Sequence, residues 1–366
     1  MSTRPCRQEC RRQSKRKEPG RNTPLFGEEE GGAGLNGDRG IRVFRVRASS
    51  GLRKGKSSST DYLSSSAILA VVAIVVNLVQ LVVVPAFLLP LDLSWGWLLI
   101  VFALLTTPFW SLIHEAIHGN LSRDRQWNDS VGRLMSILYG SPFSLLKSGH
   151  LLHHRYSRTL REQHELYDPQ KTTWFRAAIG YYFQLLGGLY LIEVVSMLLA
   201  LLPARLIRKL ADRLDKPDSL GGLVLYKIAA VRALRQFRVD SLAIALVYAG
   251  SLFLYGDHFW MLLAALLVRG FLVSAVDSAY HYDTRLDAPL EAMNLRLPRP
   301  LELLVLNFSL HDVHHRNPGL RWFELRNKFV RDGGDYHMNW IPAVARQFSG
   351  PISSEEGSRR SRDGAA

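Results

Sequence analysis

Apolar residues fall along this chain in long unbroken runs. No charged residue occurs over residues 62–91, and none over 93–113. A run of about 20 apolar residues is long enough to cross the hydrocarbon core of a bilayer. Only Asp92 separates the two runs, and Pro90 beside it breaks a helix. Soluble cores seldom accommodate helices that are apolar on every face. The pattern therefore predicts a membrane hairpin, residues 65–89 and 94–113.

Three further apolar segments follow: 177–204, interrupted by Glu193; 241–256; and 259–280, interrupted by Arg269 and Asp277. The segment between the second and third runs carries Arg123, Arg125, Arg133, Lys147, Arg155, Arg158 and Arg161. The next linker is also basic, from Arg205 to Arg238. Short loops rich in Lys and Arg stay in the cytoplasm. An odd number of crossings cannot join two cytoplasmic segments, so 177–204, with Gly187 and Gly188 at its middle, is expected to lie in the interface or to re-enter. The last two segments then form a second hairpin turning at Asp257 and His258. The expected fold is an all-α membrane protein of two transmembrane hairpins and interfacial helices, with residues 119–176, 205–238 and 282–366 sharing the cytoplasmic side.

Charge sharpens this picture. Of the net +14, a surplus of nine lies in residues 1–60, which hold 15 Lys and Arg against 6 Asp and Glu. The rest lies mostly between the apolar runs, so the basicity reads as membrane topology and excludes a nucleic-acid partner. Residues 1–60 are too rich in Arg, Lys, Gly and Ser to bury a core and are expected to be a disordered tail. The body is expected over 61–345, with a second disordered tail over 346–366. No secretory signal pattern opens the chain; a transit peptide, an anionic-lipid anchor and an over-extended start all fit residues 1–60. Cys6 and Cys10 both lie in that tail, so the body has neither a disulfide framework nor a thiolate metal site.

Histidines supply the chemistry instead. Three groups stand out: His114 with His118, His150 with His153 and His154, and His311 with His314 and His315. A spacing of four puts two imidazoles on one helix face a turn apart. A spacing of three plus an adjacent pair lets three converge from a helix end or loop. Eight histidines exceed what one ion binds, since zinc and similar metals take about four protein ligands, so the count fits two metal ions. Glu115 and Asp312, beside the boxes, are candidates to orient ring nitrogens, or else simple solvated charges. Asp277 and His281 are also four apart, and an ionisable residue in an apolar helix is a functional candidate by default.

The order and spacing of these boxes resemble the membrane fatty acid desaturase superfamily, which also contains acyl hydroxylases and carotenoid ketolases and hydroxylases. The likeness covers residues 62–345, and Asn307 upstream and Pro318 downstream of the last box are similar to that family's pattern. The resemblance implies a non-haem di-iron site ligated almost wholly by histidine, using O2 as co-substrate to oxidise a lipid or acyl chain. Acyl-CoA desaturases carry an Asn-x-x-x-His element where this chain has Asp277 and His281; there the His ligates one iron and the Asn reaches it through water. His281 is thus expected as a ninth ligand. Asp in place of Asn brings a negative charge that could ligate directly and leaves acyl-CoA specificity open.

The expected activity is fatty acyl desaturation. Hydroxylation or ketolation of a fatty chain, hydrocarbon or carotenoid is the alternative within the superfamily, and a metal transporter or receptor is the rival outside it. A transporter would place its ligands near the bilayer midplane, whereas these boxes flank the apolar segments. Without a G-x-G-x-x-G fingerprint, a cysteine cluster or a His-Pro-Gly-Gly haem motif, two electrons per turnover are expected from a separate ferredoxin, or from cytochrome b5 with its reductase. The linker from Arg205 to Arg238 offers a basic surface for an acidic donor, an acyl carrier protein or a coenzyme A phosphate, or else simply marks topology.

Overall fold

The computed structural model describes residues 58–286, 288 and 290–363; the expected N-terminal tail lies, up to residue 57, outside the described residues. The described residues are mostly helical. Helix α1 (Ser58–Leu78) continues through a π-helical stretch, Val79–Leu88, that contains Pro85. Proline cannot donate to the carbonyl one turn earlier, and the ladder loosens around it. The apolar part, Ser65–Leu91, has 27 residues, about 40 Å at 1.5 Å per residue. Asp92 then turns the chain, its carboxylate accepting a hydrogen bond from the Ser94 N–H at 2.8 Å.

The return passes through α2 (Leu98–Leu104) and α3 (Thr106–His118), which meet at a bend of 43°. Pro108 removes the N–H that would have bonded the carbonyl of Leu104, so the second apolar run is a broken helix rather than a straight one. Helices α4 (Arg125–Tyr139) and α5 (Phe143–Tyr156) form the next antiparallel pair. Asp124 caps α4 by accepting from the N–H groups of Gln126 and Trp127.

Among the described residues, three stretches are long and apolar enough to cross a membrane, Ser65–Leu91, Trp174–Leu201 and Val231–Ala279, and the bent α2–α3 pair would make a fourth. The second comprises α6 (Trp174–Phe183), a break at Leu186 and Gly187, and α7 (Leu189–Ser196). Gly187 has φ 118°, and a Cβ there would meet the Gly270 and Phe271 backbone at 3.3 Å; only glycine fits both demands. After α8 (Ala204–Leu214) and α9 (Gly221–Ile228), helices α10 (Val231–Tyr255) and α11 (Phe259–Ala279) fold back on each other at Gly256. Arg269 on α11 donates to the Tyr248 hydroxyl on α10 at 3.1 Å.

That antiparallel pair fixes the geometry of residues 174–201. Near its start, the Tyr181 hydroxyl donates to Gln347, whose amide donates to the Ala275 carbonyl at the C-terminal end of α11. Past its far end, Arg238 near the start of α10 donates to the carbonyls of Ala200 and Leu202. Both ends therefore lie at one end of the α10–α11 pair, and the segment turns back beside Gly270. Helix α8 covers that end: Ile207 and Ala211 are buried against Ile228 and Phe237, while Arg205, Lys209 and Arg213 are exposed.

The remaining elements, α12 (Arg299–Leu304), α13 (His311–Arg316), α14 (Trp322–Arg331), α15 (Trp340–Arg346) and α16 (Ser354–Asp363), cover the histidine-bearing ends of the long helices. Two short parallel pairings, Leu295 with Met338 and Leu166 with Ile352, tie them down. The expectation of a disordered tail from residue 346 does not hold for residues 347–353, which are tied to the body; residues 364–366 lie outside the described residues. Gln347 is fully buried, Trp174 donates to the Pro351 carbonyl, and Tyr282 donates to the Gly350 carbonyl. The polar composition after Gly350 concealed a segment held by hydrogen bonds from aromatic side chains to its backbone and by the buried Ile352.

Candidate metal centre

Each histidine stands where its local structure aims it inward. His114 and His118 lie one turn apart on α3, which Gly119 ends in the left-handed conformation at φ 74°. On α5, His150 and His154 share a face and His153 points about a third of a turn away. On α13, His311 and His315 share a face and His314 projects beside it. His281 follows two residues after α11. The result is two groups: His114, His118, His150, His154 and His314; and His153, His281, His311 and His315, each with ligand nitrogens within 4.8 Å of one another. Helices α5 and α13 each contribute to both.

These residues fit metal ions. The Nε2 atoms of His118 and His150 are 2.9 Å apart, those of His150 and His154 3.1 Å, and those of His154 and His314 3.0 Å. In the second group His315 Nε2 lies 3.2 Å from His153 Nε2 and 3.1 Å from His311 Nε2. Two nitrogens each about 2.1 Å from one ion and at right angles to it stand about 3.0 Å apart. His114 Nε2 and both ring nitrogens of His281 are buried without a hydrogen-bond partner, as a ligand atom would be. Burial, with the neighbouring imidazoles adding to it, holds His150, His281, His311, His314 and His315 well below the ordinary imidazole pKa, and pushes His154 down to about 2. Neutral imidazole is the form that binds a metal.

His153 differs. Burial opposes its charge, but Glu162 stands against it and leaves its pKa raised. Its Nδ1 lies 2.7 Å from Glu162 Oε1, the carboxylate–histidine pairing that fixes a ligand's tautomer and orientation. Glu162 was not singled out from the sequence; the only signal is an acid within the basic stretch that follows the second box. His164 Nε2 lies 3.7 Å from the same carboxylate oxygen. Arg158, buried and paired with Glu165 at 2.6 Å, also donates to the Thr284 carbonyl and so ties the loop after α5 to the segment after His281.

The other candidates take different roles. Asp277 belongs to neither group; it lies within electrostatic range of His153 and beside Trp110. Asp312 makes an ion pair with Arg316 at 2.9 Å along the surface of α13, not a bond to a ring nitrogen. Glu115 accepts from the Trp322 N–H at 3.1 Å, and Asn307 donates to the Trp322 carbonyl and accepts from Arg299, both at 2.9 Å. The Trp322 indole donates to Ser66 at 3.0 Å. Glu115, expected to orient a ring nitrogen, and Asn307, upstream of the last box, thus fix one backbone position, which locks the first and third boxes to α1. Asn120, donating to the Pro318 and Leu320 carbonyls, makes a parallel link.

A family model described as fatty acid desaturase matches residues 93–342, more than half of the chain. The chain belongs to the fatty acid desaturase family. The match begins at the bent α2–α3 pair and ends in α15, so all nine histidines of the two groups fall within it. No curated protein and no solved structure matched the chain. Family membership and the long apolar helices support a membrane protein of the desaturase- and hydroxylase-like superfamily, and its two histidine groups could each hold a metal ion.

Proposed function

We propose that the chain is an O2-dependent desaturase that introduces a carbon–carbon double bond into a fatty acyl or other lipid chain, with two iron ions held by the nine histidines. The observation that carries this reading is the division of buried imidazoles into one group of five and one of four. Such a ligand set, without carboxylates, leaves a metal site cationic and strongly oxidising. Two bound irons would supply, with O2, the oxidising power that removal of hydrogen from unactivated carbon requires.

The chain's own residues present neutral nitrogens, hold His153 through Glu162, and exclude water by packing Trp110, Phe308 and Tyr280 around the rings. The basic loops support a cytoplasmic position for the histidine-bearing ends, with residues 174–201 entering and returning on that side. Electrons then come from a separate ferredoxin, or from cytochrome b5 with its reductase, at that face.

Expression in a heterologous host followed by mass spectrometry of lipids and pigments tests the reaction. A product two hydrogens lighter marks desaturation, and one with added oxygen marks hydroxylation or ketolation instead. An unchanged profile from iron-loaded protein with a working donor sinks the reading. Cysteines placed at Lys171, Asp218 and Asn327, all on exposed or half-exposed positions, should label from one side; opposite labelling of Lys171 and Asp218 would make residues 174–201 a crossing.

A further inference from the structure

We infer that an arginine-lined cleft beside the first histidine box is the docking surface for the electron donor, and that the donor is a small protein presenting carboxylates. The inference rests on the reading of the site as an O2-dependent oxidant of lipid chains. Reduction of O2 to two waters takes four electrons and four protons, and forming a carbon–carbon double bond releases two of each. A one-electron carrier supplies the other two electrons, one per visit, while solvent supplies two protons. The carrier is a separate protein, because the sequence holds no dinucleotide fingerprint and no cysteine cluster in its body.

An open cleft of about 440 Å³ lies where the chain leaving α3 meets the chain leaving α13. Gly119 and Asn120 line it from the first, and Asn120 ties them to the second by donating to the Pro318 and Leu320 carbonyls at 2.9 and 3.1 Å. Arg123, Arg125 and Arg321 also line it, against a single acid, Glu324. That carboxylate is already engaged, since its Oε2 accepts from the Arg321 N–H at 3.0 Å. The Arg125 guanidinium packs on Gly119, where an added Cβ would fall 1.7 Å from its Nη1. Neither Arg125 nor Arg321 makes a salt bridge among the described residues. Gly119 directly follows His118, the one half-buried ligand in the group of five, whose other four members are buried. A carrier seated here is therefore one residue from a ligand of that group. Arg123 and Arg125 are exposed and Arg321 is half-buried, so the charges stand on an open rim rather than around an enclosed anion. Guanidinium forks match carboxylates, and a rim of one charge sign steers and orients a partner of the other.

The test uses purified, iron-loaded full-length protein in phosphatidylcholine nanodiscs. Two acidic one-electron carriers serve as probes, a plant-type ferredoxin and the soluble haem domain of cytochrome b5, with affinity read by surface plasmon resonance at several salt concentrations. At least one carrier should bind, more weakly as salt rises. Three exposed ion pairs, each worth about twofold, make the combined Arg123→Ala, Arg125→Ala and Arg321→Ala variant about eightfold weaker, with bound iron unchanged and a flatter salt dependence. Lysine at the same three positions keeps the charge and should restore much of the affinity. Removing three charges from α8 instead, by Arg205→Ala, Lys209→Ala and Arg213→Ala, should change affinity by less than about twofold. If the triple cleft variant loses iron, Arg123→Glu alone supplies the comparison, at about fourfold. The inference is overturned if neither carrier binds wild type, if the cleft variants bind as wild type does, or if the α8 variant weakens binding equally. Loss of added phosphatidylglycerol from the cleft variant, with carrier affinity unchanged, overturns it in favour of a lipid site. Docking that weakens as expected without any oxidised lipid product would sink the reading of the reaction and leave the surface.

Discussion

Removing the Glu162 carboxylate should loosen one metal position and spare the other. Glu162 touches only His153 among the nine histidines, at 2.7 Å, and the two side chains are 11% and 16% exposed, so solvent screens the contact little. A hydrogen bond between a charged group and a buried partner contributes about 1.5–3 kcal/mol. Losing the partner that orients a metal-bound histidine typically costs about 10–100-fold in metal affinity, or about 1.4–2.7 kcal/mol, which agrees. Glu162→Ala should therefore weaken iron binding in the group of His153, His281, His311 and His315 by that factor and leave the group of five near its wild-type affinity. Glu162→Gln keeps an acceptor without the charge and should lose about half the free energy. Iron content and Mössbauer spectra during a graded chelator challenge would resolve two populations. If Glu162→Ala surrendered both irons together, or neither faster than wild type, His153 would not depend on this carboxylate.

Further outcomes follow from the same geometry. His315→Ala and His281→Ala should each lower bound iron and abolish product formation while the protein stays in the membrane, whereas Asp277→Asn should retain iron and part of the activity; full activity in His315→Ala would exclude the third box. The ligand histidines of α5 and α13 with depressed pKa values stay neutral when folded but take up protons when unfolded. The unfolded state thus binds more protons below about pH 6.5, so stability and iron retention should fall as pH drops below that value, and an iron-release rate flat down to about pH 5 would contradict this. Gln347→Ala should cost about 0.5–1.5 kcal/mol, read as a lower Tm, because it removes a buried hydrogen bond to the Ala275 carbonyl. Gly119→Ala should destabilise by about 1 kcal/mol through its positive φ and weaken iron in the group of five, with iron content unchanged as the contrary result.

Much of the site was legible because histidine spacing is a local property. A separation of four on a helix dictates a shared face wherever the helix goes, so His114 with His118 and His311 with His315 could be paired without knowing the fold. The apolar runs were equally plain, and the turn of residues 174–201 at Gly187 matches the glycine pair that marked it. The allocation of His153 to one group and His154 to the other was not readable, since it depends on which neighbour each faces across space. The same limit applies to Glu115 and Asn307: each is near a ligand in sequence, but both bond to Trp322, which carries no sequence signal of its own. Glu162 was missed for the converse reason, because it reaches His153 across a loop of no regular pattern. The ordered segment after Arg346 was hidden because hydrogen bonds to its backbone help to hold it, which composition does not report.

Helix α13 places His314 in one group and His311 and His315 in the other. During synthesis, the earlier parts of the chain reach the membrane with four ligands of one set and two of the other, and neither set is finished until this late helix emerges and docks. Metal loading should accordingly be a late, concerted event in biogenesis, in which a ribosome-bound or truncated intermediate holds iron only loosely and the two positions mature together. A chain stalled before α13 would then be a target for quality control, not a half-active enzyme.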